Sequence, residues 1–171
     1  MRSENLTSEN LTIRRGKAAD AALLTELARR TFDETFAEHN RAEDMQTYLA
    51  ETFSEAKQER ELTNPAITTL FAELDGVAVA YAQVKRGAAP PCVDREHALE
   101  IARFYVDRRH HGRGIAQQLM HAVDAIAIET GNSAVWLGVW ERNARAIAFY
   151  KKFGFERVGA QTFVLGIHPL R

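Results

Sequence analysis

Residues 106–120 read V-D-R-R-H-H-G-R-G-I-A-Q-Q-L-M, and this stretch decides the fold. An apolar, β-prone run feeds it, containing Leu99, Ile101, Phe104, Tyr105 and Val106. An amphipathic helix leaves it, with Ile115, Leu119, Ala122, Val123 and Ile126 at three- and four-residue spacing. Between them lie Gly112 and Gly114, flanked by Arg108, Arg109 and Arg113. A strand that runs through glycines into a helix start is built to hold an anion, because the first helical N–H groups are unpaired and sit at the positive end of the dipole. Glycine allows close backbone approach, and arginine adds charge-assisted hydrogen bonds to phosphate. The dinucleotide fingerprint G-x-G-x-x-G fails, since Gln117 stands where its last small residue belongs, and the G-K-[ST] of a nucleoside triphosphate loop is absent. What the residues spell is R-x-x-G-x-G, over Arg109, Gly112 and Gly114.

The flanking sequence reads as alternating elements. Residues 11–15 suit a first strand, and Asp20 an N-cap for a helix to about Phe36, whose stripe is Leu24, Leu27, Ala28, Phe32 and Phe36. Residues 41–62 are helix-prone and broken at Phe53-Ser54, with Ser54 as a cap, until Asn64-Pro65 stops them. Asp75-Gly76 between two apolar runs predicts a hairpin of 67–74 and 77–85. Residues 86–97 form a loop, 99–106 the strand entering the glycines, and Gly131-Asn132 ends the helix that follows. The run A-V-W-L-G-V-W (134–140) predicts a central strand covered on both faces, with Trp136 and Trp140 on one side. Asn143 opens a short helix ending before Gly154, and 155–158 and 162–165 predict a last strand pair. The order β-α-α-β-β-β-α-β-α-β(-β) predicts one α/β domain over 11–171 with a mixed sheet, behind a flexible stretch of residues 1–10.

Composition excludes several classes. With 46% hydrophobic and 26% charged residues the 171-residue chain is globular rather than disordered. A net charge of −1 argues against bulk binding to nucleic acid or to an anionic membrane. The single cysteine, Cys92, excludes an internal disulfide. No apolar run reaches the roughly 18 residues of a membrane span. Residues 1–10 lack the apolar core of a signal peptide, so the expected location is the cytoplasm. No histidine pair has H-x-x-x-H spacing and there is no cysteine cluster, so no metal site is expected.

A second motif turns the generic phosphate loop into a specific one. Residues 136–156, W-L-G-V-W-E-R-N-A-R-A-I-A-F-Y-K-K-F-G-F-E, match N-x-x-A-I-x-F-Y-x-x-x-G-F. With R-x-x-G-x-G one helix and one strand earlier, the chain resembles the GNAT superfamily of acyl-CoA-dependent N-acyltransferases. Within it, L-E-I-A-R-F-Y-V and W-L-G-V-W-E-R-N look most like the bacterial branch that includes polyamine acetyltransferases. The resemblance implies a GNAT-like fold, acetyl-CoA as co-substrate without a metal, and acetyl transfer to a primary amine by direct attack in a ternary complex. The alternative is a non-catalytic acyl-CoA-binding sensor or interaction module of the same fold.

The resemblance also implies roles. Backbone amides from Arg109 through His111, Gly112, Arg113, Gly114, Ile115 and Ala116 would wrap the pyrophosphate, with His110 more exposed. The backbone of Phe104, Tyr105 and Val106 would pair with the pantetheine arm, and the Val106 N–H would hold the oxyanion. Asn143 would bond the same arm, a role compatible with plain helix capping. Tyr150 would lie near the thioester sulfur and protonate the leaving thiolate, whereas periodicity alone reads Phe149 and Tyr150 as core aromatics. A lysine-like amine costs roughly 4.6 kcal/mol to neutralise at pH 7, so a base is expected. Glu100 is the first candidate and Glu141 the second; both also read as strand-end surface charges, and a water relay would serve instead. The partner is a small-molecule or peptide amine. The tail F-V-L-G-I-H-P-L-R, with Pro169, predicts a final strand that is short, absent or completed by a neighbouring subunit, which would make a homodimer.

Overall fold

The computed structural model describes residues 10–93, 97–160, 163–165 and 168–170, the last two pieces as backbone only. In chain order the elements are β1 (Leu11–Arg15), α1 (Ala21–Phe36), α2 (Ala42–Thr52), α3 (Glu55–Thr63), β2 (Ile67–Leu74), β3 (Val77–Lys85) and β4 (Ala98–Val106). Then come α4 (Ile115–Glu129), β5 (Ala134–Leu137), α5 (Ala144–Lys152), β6 (Phe163–Leu165) and β7 (His168–Leu170). Strands β1 to β5 form one sheet in sequential order, antiparallel except for the parallel pair β4–β5. Alternation along the strands sends apolar side chains to both faces, and each face carries its own core. One core joins Leu99, Ile101, Leu119, Met120, Val123 and Tyr150 under α4 and α5. The other joins Leu24, Leu27, Phe32, Phe53, Phe71 and Tyr81 under α1 to α3.

Local chemistry explains the element ends. Ser54 caps α3, its hydroxyl accepting from the Lys57 N–H at 3.2 Å. Asp75 and Gly76 both take positive φ, 51° and 80°, the geometry of a primed two-residue hairpin turn. Asp20 does occupy the N-cap of α1, but its side chain makes no cap bond there. The carboxylate instead turns back to accept from two Arg14 nitrogens and the Lys17 N–H, each at 2.9 Å. This bidentate arginine pair holds the Asp20 carboxyl below the usual carboxylate range. It outcompetes a neutral capping bond.

The carboxy-terminal third departs from the sequence reading. The apolar run 134–140 is not one covered central strand: β5 stops at Leu137, all four of its residues are half-buried, and its outer edge pairs with no described strand. Trp140 lies beyond it, so strand parity does not apply. It is buried against Phe36 of α1, with ring centroids 5.4 Å apart. Residues 155–158 are irregular rather than a strand. Only Phe155 finds apolar cover, against the core under α4 and α5, while Glu156 to Ala160 are exposed and do not pair with the outer edge of β5. The final strand is short, as expected: β6 pairs antiparallel with β7, Val164 opposite Pro169, in a separate two-stranded sheet. Residues 1–9 lie outside the described residues, and backbone pairing begins where the Asn10 carbonyl accepts from the Asp75 N–H.

Candidate active site

The site begins with one extra residue in β4. Gln83 pairs with Arg103 and Val84 with Ile101, so Ala102 has no partner on β3 and forms a β-bulge. The β4–β5 pairing ends at the same place, with Ile101 opposite Leu137. Beyond it, residues 103–106 bond to β3 on one edge, and no described strand pairs with the other. The Asp107 N–H donates to the Val79 carbonyl at 2.8 Å, which makes Ala80–Val106 and Ala82–Phe104 the non-hydrogen-bonded pairs. The N–H and C=O groups of Phe104 and Val106 therefore face the open edge. Those of Tyr105 face β3, which corrects the expectation that all three residues serve the pantetheine arm. The Tyr105 side chain goes to the opposite face, stacked 5.9 Å from the buried Tyr81 ring.

The glycine loop continues from that edge. Arg108–His110 form one 3-10 turn, whose N–H groups are used internally: Arg109 N–H donates to Asp107, His110 N–H to the Asp107 carbonyl and His111 N–H to the Arg108 carbonyl. The free amides thus start at Gly112 rather than at Arg109, and from Gly112 to Gln117 none donates to a described residue. Gly112 and Gly114 sit at φ of 79° and 80°, a region that lets successive N–H groups point into one concavity and in which other residues are strained. Gly114 is the N-cap of α4 and offers no side-chain cap, so the helix start is open to an anion. Ile115 contributes only its amide, its side chain being buried, while Ala116 lines the groove. The Arg109 guanidinium is bound to Asp107. His111 lies on the strand edge, its Nε2 donating to the Val106 carbonyl at 2.9 Å. His110 is half-buried rather than exposed. Burial first, then Arg113, Arg109 and Arg30, holds its pKa below the ordinary value, and its Nδ1 accepts from Arg113 at 3.2 Å.

The remaining candidates divide between the two faces of the sheet. Tyr150 is buried in the core under α4 and α5, edge-on to Phe104 with centroids 6.2 Å apart. Burial raises its phenol above the ordinary value. Asn143 caps α5 by accepting from the Ala146 N–H at 3.2 Å, and it lines the same groove. Glu100 pairs in register with Lys85 and Trp136, on the face of Tyr105 and α1 to α3. It is half-buried, lines the groove and forms no salt bridge with a described residue. Glu141 lies on an exposed turn at the groove's lip. The groove runs through the gap between β4 and β5 and measures 2660 Å³, far above the ~300–1,000 Å³ of a site for one drug-sized ligand. It has room for a long extended molecule and a second reactant.

Two supporting clusters were not anticipated. Asp107, only 1% exposed, receives the Arg109 side chain and Arg30 from α1, while Glu34 of α1 accepts from the Arg108 N–H at 3.0 Å. The acid beside two arginines in D-R-R was a local signal of internal pairing; Arg30 and Glu34, more than seventy residues earlier, gave none. Beside the bulge, Arg103 donates to Gln58 at 2.9 Å and to Glu61 at 3.0 Å and lies 4.8 Å over the Phe53 ring. Gln58 and Gln83 are buried polar groups in this network. Among the described residues no group of three His, Cys, Asp or Glu side chains is close enough to hold a metal, and no helix is long and apolar enough to cross a membrane.

Comparison with known proteins decides the family. The model of the acetyltransferase (GNAT) family matches residues 23–155. The chain belongs to the GNAT family. An uncharacterized N-acetyltransferase of Mycobacterium tuberculosis is 38% identical over 149 residues, covering 87% of this chain and 91% of the relative. Another, from Lactobacillus delbrueckii subsp. lactis, is 34% identical over 140 residues, covering 82% and 81%. Among solved structures, PaiA N-acetyltransferase of Thermoplasma acidophilum in complex with coenzyme A superposes with a TM-score of 0.74 at 24% identity, covering 85% of this chain and 89% of that one. The sheet and its flanking helices are those of the GNAT fold, the activity is that of an N-acetyltransferase, and acetyl-CoA is the co-substrate. The donor set fits that molecule: free amides and an open helix start for a pyrophosphate, and an unpaired strand edge for an amide-bearing arm.

Proposed function

We propose that the protein acetylates a primary amine by direct attack on the thioester within a ternary complex, with Val106, Tyr150 and Glu100 as the reacting surroundings. The observation that carries this reading is the open strand edge at Val106, with a buried phenol on one face of the sheet and a carboxylate on the other. Acetyl-CoA would enter along the edge and the amine would approach from the side of α1 and α2. Glu100 takes a proton from the ammonium, directly or through water. The amine nitrogen bonds to the thioester carbon, and the Val106 N–H stabilises the oxyanion. The C–S bond then breaks, and Tyr150 supplies the proton that the thiolate needs. A phenol raised by burial stays protonated at neutral pH and so remains a competent acid. Glu141 is the second candidate for the base. The amides of Gly112 to Ala116, with Asn143, hold the cofactor's length, and Arg109, Arg113 and His111 complete the loop.

The test is thiol release with acetyl-CoA and a panel of amines, in the native protein and in Tyr150→Phe. Acceptor-dependent thiol release that collapses in the variant is the expected result. Saturable acetyl-CoA binding without acceptor-dependent release, unchanged by Tyr150→Phe, would instead identify an acyl-CoA-binding module.

A further inference from the structure

The path of a long ligand along β4 crosses a hydrogen bond that the chain makes with itself. From residue 104 onward the main-chain groups facing the gap follow in a fixed order: Phe104 N–H, Phe104 C=O, Val106 N–H, Val106 C=O. The glycine loop comes next. The last group in that row already has a donor, because the Val106 carbonyl accepts from His111 Nε2 at 2.9 Å. A carbonyl only accepts, so the ring carries a proton on Nε2. The main chain of His111 is anchored apart from this bond, its N–H donating to the Arg108 carbonyl at 3.3 Å. The residue is exposed and lines the groove together with Val106, Gly112 and Gly114. The ring can therefore leave the carbonyl without disturbing the turn that carries it.

On the reading proposed above, on which this step rests, the Val106 N–H meets the thioester oxygen and the glycine loop holds the pyrophosphate. The arm between those two points passes the Val106 carbonyl. An amide-bearing chain pairs with a strand edge by giving its own N–H to such a carbonyl. We infer that His111 is an internal competitor of the cofactor: its ring occupies the carbonyl that an amide N–H of the pantetheine arm takes, and it swings out when acetyl-CoA binds. One hydrogen bond is exchanged for another, so the competition lowers affinity without abolishing binding. The ring returns as the arm departs, which favours release of the product CoA.

Nuclear magnetic resonance of the isotope-labelled protein follows the His111 ring nitrogens and the main-chain amides as ligand is added. CoA should shift the Phe104 and Val106 amides and, in the same concentration range, release the His111 Nε2–H from its bond. ADP, which carries a diphosphate but no arm, should shift the amides of residues 112–117 and leave the ring where it is. In calorimetry, His111→Ala should bind CoA about threefold more tightly, the low end of what one neutral hydrogen bond is worth. Unchanged affinity would mean that the carbonyl, with two lone pairs, takes both donors, and weakened affinity that the ring is itself a ligand of CoA; either overturns the inference. Release of the ring by ADP overturns it as well, since the loop rather than the arm would then move it. Amides of Phe104 and Val106 that shift with CoA while the ring keeps its bond overturn the competitor and leave the edge reading intact. Amides that stay unmoved at saturating CoA refute the edge reading, and the competitor falls with it.

Discussion

Replacing Asp107 by Asn tests how the glycine loop is held. The carboxylate is 1% exposed and accepts from Arg109 through its main-chain N–H at 2.9 Å and its side chain at 3.0 and 3.3 Å, and from Arg30 of α1. An amide keeps one acceptor oxygen and turns an NH2 group toward two guanidinium groups. Hydrogen bonds to charged groups contribute about 1.5–3 kcal/mol each. Breaking a fully buried pair costs about 3–5 kcal/mol. Arg30 and Arg109 are 29% and 75% exposed and regain water when released, so the loss falls to about 2–3 kcal/mol. Urea unfolding reads that loss as stability. The loop should also lose its shape, so acetyl-CoA affinity, measured by calorimetry, should weaken about tenfold, equivalent to about 1.4 kcal/mol. The main-chain bond from Asp107 to Val79 does not involve the side chain, so the strand edge stays in place and kcat should change less than about threefold. A full stability loss with acetyl-CoA affinity within twofold would show that the Asp107 cluster ties α1 to the sheet without shaping the loop.

Other outcomes follow from the same geometry. Tyr150→Phe should lower kcat at least about 100-fold, the lower range for a general acid, with the KM for acetyl-CoA within about twofold, in steady-state assays. Glu100→Gln should reduce kcat by about 10- to 100-fold if the carboxylate accepts the amine's proton; an unchanged kcat would assign that step to a water relay. Gly112→Ala should weaken acetyl-CoA binding and cost about 1 kcal/mol in thermal or urea unfolding, because the position has φ of 79°; its Cβ would meet nothing within 4 Å, so the penalty is conformational rather than steric. The lowered pKa of Asp20, due first to its bonds from Arg14, gives a signed pH effect. The unfolded chain binds the extra proton, so this stabilisation is complete above about pH 4 and is lost as pH falls through the folded value. The stability difference between the native protein and Asp20→Asn should therefore shrink in acid.

The sequence carried the features fixed by neighbours in the chain. Asp75-Gly76, the Ser54 cap, the α1 stripe and the glycines before α4 each rely on contacts within one or two turns, and each formed as read. What escaped the reading depends on distant partners. Asp20 looked like a cap until Arg14 came within reach. The run 134–140 looked central because apolar composition does not tell a covered strand from an edge that continues into a buried tryptophan. Residues 155–158 have strand-forming residues, yet they do not pair with the outer edge of β5. Among site residues, Asn143, Tyr150, Glu100 and the glycine amides line one groove. The family resemblance implies that Arg109 and His111 offer backbone amides to the ligand, yet both amides donate within their own loop, to Asp107 and to the Arg108 carbonyl. Arg30, Glu34 and the Arg103 network had no signal near them, because charge complementarity across the fold leaves no periodic trace.

Ala102 acts as a phase shifter in β4. On either side of it the strand counts in twos, but the count restarts: Leu99 and Ile101 share a face with Phe104 and Val106, although an uninterrupted strand would put these pairs on opposite faces. Because Ala102 is skipped in the pairing, the main-chain groups on both sides of it keep one continuous alternation against β3. A chain with one residue fewer at this point would keep every side chain named in the site. Such a strand would alternate without interruption and would leave the Val106 N–H at the gap and Tyr105 on the face of Tyr81; what the extra residue adds is a bend and twist of β4 where its pairing with β5 ends. The bulge thus works by local bending: removing Ala102 should straighten β4 and narrow its gap to β5 while the register with β3 is kept.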